Sequence, residues 1–404
     1  MSFQFGLVLL QVACFIDASY GSLNGNIDTS QFKNLVIIPD VHGDMNSFIK
    51  SLWMSFIEVD RDIPLPDFQR HVGAYRASGD AVFPLSHKPD ETVLIQLGDV
   101  INRGPFALQC LEILKSIEET IGWKTIRLYG NHELMAYKGT GVDYIHKDEF
   151  AMFEQSFGTQ NARIEVFGPG GVLWDEISKS SILSARVAPA RDDSSDRTDV
   201  LPIGSSSTLF VHGGIDSLWL RKMGSVIHDP EKLVSEMNKR ASKAFTSKTS
   251  PPSTFLFDLE SSPLWTRDLA ELNHHYVCDK ILPRILKTFN VARLVVAHTP
   301  QRDRRMKSLC HSRLILADAL MSRWMYPKNV EAKGNPTALI MNQSNGNLNS
   351  MYAMYMDSLN EVISKHFFSE LMWGELNTWD MIKSILHGVD WIWLHMGAQV
   401  GRHS

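Results

Sequence analysis

Five short, mostly aliphatic runs, each stopping at a cluster of polar residues, constrain this chain more than any other feature. They are Leu35 to Ile38, Val93 to Leu97, Ile126 to Tyr129, Thr208 to Val211 and Leu294 to Ala297. Such runs mark strands buried on both faces, because a strand with one wet side would alternate apolar and polar residues. Covering both faces of a sheet takes further layers, so the fold class is α/β. Every run ends in a motif: PDVHGD (Pro39 to Asp44), GDVINRG (Gly98 to Gly104), GNHE (Gly130 to Glu133), VHGG (Val211 to Gly214) and VVAHTP (Val295 to Pro300). Carboxyl ends of strands are where open α/β sheets bind ligands.

The motifs supply Asp40, His42, Asp99, Asn131, His212 and His298, an oxygen-and-imidazole set without cysteine. That set suits two divalent metal ions of borderline character, Mn, Fe or Zn. Two ions roughly 3.5–4 Å apart can clamp a phosphoryl group and activate a water, provided one carboxylate bridges both. Asp99 is the expected bridge. Asp40 and His42 sit two apart and emerge on one side of an extended strand end, so they serve one ion together. Asn131, His212 and His298 complete the other. Arg103 follows the bridge by four residues and offers a planar fork for two phosphate oxygens, while His132, beside a ligand, can donate a proton to the leaving alkoxide. Arg267, in SPLWTRD (Ser262 to Asp268), is a candidate second clamp.

With these motifs in this order, the chain from about Asn34 to Met354 resembles the calcineurin-like metallophosphoesterases of the PPP type, and most of all the Shewanella-like protein phosphatases. The resemblance implies a four-layer α/β/β/α sandwich with a dinuclear site at the strand ends. It implies a phosphoprotein substrate with phosphoserine, phosphothreonine or phosphotyrosine, hydrolysed by a metal-bridging hydroxide, manganese being one candidate metal. Dinucleoside polyphosphate hydrolases share GD-x-x-x-RGP and are the alternative; a catalytically weak binding module is the other. In the familiar PPP pattern an Asp precedes the phosphate-binding Arg and favours a protonated motif histidine. Here Asn102 stands in that place, which brings no charge and leaves His132 less easily protonated. Leu314 to Met321 (LILADALM) is similar to the terminal strand and turn of the Shewanella-like group.

The remaining chain sets narrower expectations. A formal net charge of −5 and a pI near 6.3 give no footprint for nucleic acid. Phe5 to Ile16 reads as the apolar core of a secretory signal ending near residue 21, with an uncleaved anchor or a buried helix as the alternatives; twelve apolar-leaning residues are short for a membrane span. Residues from about 137 to 207 form an insertion suited to a substrate-facing cap or to a plain helical packing subdomain, including FGPGGVLW (Phe167 to Trp174). Ala190 to Ser207 and Ser247 to Ser262 read as polar surface loops. Residues 355–404 read as a helical extension, expected to pack on the catalytic region rather than enter a membrane. Asn342-Gln-Ser344 is a glycosylation sequon placed in a loop. Beyond Cys14 in the apparent signal, Cys110, Cys278 and Cys310 remain, an odd number that argues against a disulfide framework. Cys278 and Arg284 have the spacing of a tyrosine-phosphatase loop, but the intervening residues lack glycine and have a helical rhythm, so Cys278 is expected in a helix facing the core. Oligomeric state is not encoded in any of these features.

Overall fold

The computed structural model describes residues 24–28, 30, 32–73, 84–159, 161–189, 201–224, 227–246, 261–326, 333–357 and 362–368. The expected signal segment, much of the two polar loops and residues 369–404 lie outside the described residues.

The expected strands form two sheets. The larger contains β2 (Asn34–Ile38), β3 (Thr92–Gln96), β4 (Lys124–Leu128) and β5 (Ser181–Ile182) in parallel. It continues antiparallel through β11 (Thr337–Ser344), β12 (Asn347–Met356) and β13 (Ile363–Phe367). The smaller runs in the order β1 (Asn26–Asp28), β6 (Ser184–Ala188), β7 (Thr208–Val211), β8 (Arg293–Val296), β10 (Leu314–Leu316) and β9 (Lys307–Leu309). The side-chain alternation of strands divides each run between two cores. Leu35 and Ile37 join Ile95, Phe210, Val295 and Leu339 between the sheets, while Val36 and Ile38 join the outer cluster with Phe48 and Leu52 of the helix Met45–Val59. The result is the α/β/β/α layering, with helices flanking two sheets. Among the described residues no helix is long and apolar enough to cross a membrane.

Four expectations change. The insertion expected over about 137–207 stops at residue 180, because Ser181 to Ala188 supply β5 and β6, one strand to each sheet. Its helices Lys147–Phe157, Ala162–Phe167 and Val172–Ser180 are pinned to the body by Trp174, which stacks on Tyr137 at 4.6 Å and donates Nε1–H to the Phe245 carbonyl at 2.7 Å. The C-terminal region is not helical where it is described: β13 adds an edge strand to β12, and cross-strand packing of Phe367 on Tyr352 at 4.8 Å outweighs the helical pattern. Asn342 lies in β11, not a loop, and its amide donates to Ser350 Oγ at 2.8 Å across the sheet. Finally, Cys278 and Cys310 form a disulfide. It joins a helical segment to the turn after β9, and only Cys110, buried, is free among the described residues. A disulfide-bonded Cys278 offers no nucleophilic thiolate.

Candidate metal centre

Both sheets point their carboxyl ends at one place. From the larger, β2 leads to Asp40 and His42, β3 to Asp99, Asn102 and Arg103, and β4 to Asn131 and His132. From the smaller, β7 leads to His212 and β8 to His298. All six expected ligands are brought together and buried. Tight geometry is imposed on the loops that carry them. His42, Asp99, Asn102, Arg103 and His298 all adopt positive φ, a left-handed region that is strained for residues with a side chain and that clusters at functional sites. Gly130 has no alternative, because a Cβ there would land on the Asp99 carboxylate and backbone nitrogen.

Asp99 is placed as a bridge. Its Oδ2 faces His42 Nε2 at 3.7 Å, and its Oδ1 faces His212 Nε2 at 3.4 Å. His42 Nε2 is also 3.9 Å from Asp40 Oδ2, and His212 Nε2 is 3.0 Å from Asn131 Oδ1. One donor atom each from Asp99, His212 and His298 lies within 4.8 Å of the others, as does one each from His42, Asp99 and His132. The donors therefore form two lobes sharing one carboxylate, which fits a pair of divalent cations. The fit extends to the ring orientations. His42 Nδ1 meets the Ile101 carbonyl at 3.4 Å, His212 Nδ1 the Leu97 carbonyl at 2.8 Å, and His298 Nε2 the Trp265 carbonyl at 3.1 Å. A carbonyl only accepts, so those nitrogens carry protons and leave the opposite nitrogens, Nε2 of His42 and His212 and Nδ1 of His298, as the ones that can bind metal once deprotonated. Asp40 Oδ1 is buried with no hydrogen-bond partner, a vacancy that a cation would fill.

The charges of the metal-free site are unbalanced in the same sense. Burial pushes Asp99 up, but His212, His132 and His42 outweigh it and hold the carboxyl well below its usual range. Burial also opposes the charge on His212, yet Asp99 and Asp40 raise it to about 10. Burial lowers His42 to about 4, and burial with the nearby His212 and Arg267 lowers His298 to about 3. Burial, with Asp318 next, raises Asp40 well above the carboxylate range. At neutral pH the bare site thus holds a proton on His212 that a cation must displace. Metal binding is expected to release protons and to strengthen as pH rises from 5 to 8, because ligands bind metal in their deprotonated forms. Calorimetric titration with zinc in buffers of differing ionisation enthalpy measures that release; binding with no proton uptake by the buffer contradicts it.

Three residues of the site escaped the sequence reading. Glu133 reaches back to the Gly130 N–H at 2.8 Å and accepts from the Asp99 and Val100 N–H groups, both at 2.9 Å, fixing the bridge loop. Its position three residues after Gly130 was the available signal, that of a capping box. Asp318 follows β10; its Oδ2 is buried without a partner, and burial raises it to about 6. Tyr144, in the cap, accepts the Arg103 N–H at its carbonyl, sets its ring 4.8 Å from the guanidinium and packs on His132. Asp318 lies in the LILADALM segment already singled out, but no local pattern assigns it to the site, and none marks Tyr144.

An open pocket lies in front of the cluster, walled by Arg103, Arg267, His132, Tyr144, Trp265 and Met325. Arg267 caps the short helix Asp268–Glu271 and donates to the His298 carbonyl at 3.2 Å, which directs its guanidinium along this wall. Residues 33–302 match the family of calcineurin-like phosphoesterases. An uncharacterised protein of Schizosaccharomyces pombe is 28% identical over 318 residues, which is 77% of this chain and 85% of that one. Another from Acanthamoeba polyphaga mimivirus is 27% identical over 201 residues, 45% of this chain and 71% of that one. The fold is similar to a cold-active protein-tyrosine phosphatase of a psychrophilic Shewanella, with a TM-score of 0.53, 18% identity and coverage of 85% and 84% of the two chains. Five strand-end motifs, a two-lobed donor set sharing Asp99 and a family match over residues 33–302 lead to one conclusion: this chain belongs to the calcineurin-like phosphoesterase family.

Proposed function

We propose that the protein is a metal-dependent phosphoprotein phosphatase that hydrolyses phosphomonoesters. The observation that carries this reading is the pair of guanidinium groups, Arg103 and Arg267, on the wall of the pocket facing the donor cluster. A phosphomonoester is a dianion with three free oxygens, and two planar forks suit it better than a singly charged diester. Bound metal ions would supply charge neutralisation and a nucleophile at neutral pH. The chain's own residues do the rest. Arg103 and Arg267 orient the phosphate, and His132, walled by Tyr144, faces the leaving oxygen. Met135, Trp265, Pro300 and Met325 give the mouth an apolar lining suited to the side chain that bears the phosphate. The fold likeness to a protein-tyrosine phosphatase supports a protein substrate.

A panel of phosphoserine, phosphothreonine and phosphotyrosine peptides, run beside dinucleoside polyphosphates with manganese supplied, tests the reading. Peptide hydrolysis is expected; cleavage of the dinucleotides alone would establish the alternative. Arg103→Ala and Arg267→Ala are each expected to raise the inhibition constant of inorganic phosphate about tenfold to a hundredfold, since a charge-assisted contact is worth about 1.5–3 kcal/mol. Metal content stays normal in both. Unchanged inhibition in Arg267→Ala returns that side chain to a structural role.

We also propose that the protein enters the secretory pathway, on the apolar segment Phe5 to Ile16 and the Cys278–Cys310 disulfide, which an oxidising compartment would preserve. N-terminal sequencing of protein from its native host checks this: a mature chain starting after about residue 21 supports secretion, and a retained Met1 overturns it.

A further inference from the structure

The inserted cap does more than lend Tyr144 to the pocket wall. Arg163, on the helix Ala162–Phe167, is buried and donates Nη2–H to Asn102 Oδ1 at 3.0 Å. Its Nε–H meets Glu149, and its guanidinium lies over the Phe167 ring at 3.6 Å, so the group is held from three sides. Asn102 in turn contacts His132, with Nδ2 3.1 Å from the ring Nδ1.

Donor and acceptor counting fixes the order of this chain of contacts. A guanidinium has five donors and no acceptor, so the Asn102 atom facing it is the oxygen. The other end of the amide is then the NH2 group, which only donates. His132 Nδ1 must accept, so it carries a lone pair and the ring proton sits on Nε2. That nitrogen faces the site, 3.9 Å from Asp99 Oδ2. We infer that Arg163 is a positioning residue, which through Asn102 locks His132 as the neutral tautomer that aims its Nε2–H at the reacting phosphoryl group. Of the two bonds that set the tautomer, the one between Asn102 and His132 joins two sheet ends, and the one that fixes which way Asn102 faces comes from the inserted helix. Arg163 would thereby make the cap a condition of turnover even for a substrate that never touches it.

The test combines a spectroscopic signature with kinetics, on the zinc-loaded full-length protein labelled with 15N in histidine. His132 is assigned by its loss in His132→Gln. The wild type is expected to show His132 Nδ1 at the shift of an unprotonated ring nitrogen and Nε2 at that of a protonated one. In Arg163→Met, Asn102 is free to turn, and a proton is expected to appear on Nδ1. The kcat should fall about tenfold, the loss of one aimed hydrogen-bond donor, while KM and zinc content hold. Asn102→Asp keeps a partner for Arg163 but accepts from Nδ1–H, so it should place a proton on Nδ1 in a folded protein even if Arg163→Met fails to fold. A wild-type His132 protonated at Nδ1 overturns the inference, as does an Arg163→Met ring and kcat identical to wild type. The kinetic arm rests on the phosphoesterase reading; the spectra do not, so failure of either is told apart.

Discussion

Asp99→Asn is expected to remove hydrolysis and to leave the purified protein with less than its full metal content. The amide keeps the shape of the carboxylate and can still accept the His132 N–H that Oδ1 receives at 2.9 Å. What it loses is the second anionic oxygen. Oδ1 and Oδ2 face His212 and His42 respectively, one in each lobe, and only a carboxylate can offer a negative oxygen to both. Loss of charge stabilisation worth several kcal/mol translates to a fall of about a thousandfold or more in kcat. Metal analysis and steady-state rates on the same sample check both halves. Full activity in Asp99→Asn would remove the bridging role. Cys278→Ser is the matched control. It breaks the disulfide and lowers stability by about 2–4 kcal/mol, yet below the unfolding temperature its turnover should match the wild type, because no thiolate participates.

The metal centre was legible because each ligand follows a strand whose composition announces it. Leu35 to Ile38 can be placed by apolar content alone, and Asp40 and His42 then fall at a fixed offset from a strand end. Asp99, Asn131, His212 and His298 likewise fall one to three residues past a strand end, with the sheets supplying the convergence. Residues that reach the site from elsewhere carried no such mark. Arg163 stands in a short helix with an ordinary mixture of side chains, and only folding brings it 3.0 Å from a residue 61 positions away. Asp318 is one acid in an otherwise apolar segment, and its burial beside Asp40 is set by the pairing of β10 with β8. The disulfide was hidden for a different reason. Counting cysteines assumes that all are paired or none, and one buried, free Cys110 defeats that parity argument. At the C-terminal end the failure was one of period: Ile363 to Phe367 has too few residues to separate a helical from an extended pattern, and the exposed edge of β12 decided the outcome.

The second large effect concerns the buried ion pair under the cap. Glu149 and Arg163 are both fully buried, and Arg163 Nε donates to Glu149 Oε1. Glu149→Gln leaves the guanidinium without its counter-charge in a site that water does not reach. Breaking such a pair from one side costs about 3–5 kcal/mol, a large share of the stability of an ordinary domain. Denaturant unfolding is expected to show a midpoint shifted down by that amount at unchanged slope. Removing both charges is different. Glu149→Leu with Arg163→Met fills the volume with apolar atoms among Phe153 and Phe167, and replacing both partners of a buried pair is commonly neutral or stabilising. The double variant should therefore regain wild-type stability while keeping the lowered kcat of Arg163→Met, because Asn102 Oδ1 still lacks its donor. Recovery of stability and turnover together would mean that the pair matters only as packing, and that the cap does not govern His132. Stability regained with turnover still low would separate the two roles, assigning the carboxylate to holding Arg163 and the guanidinium to holding the catalytic ring.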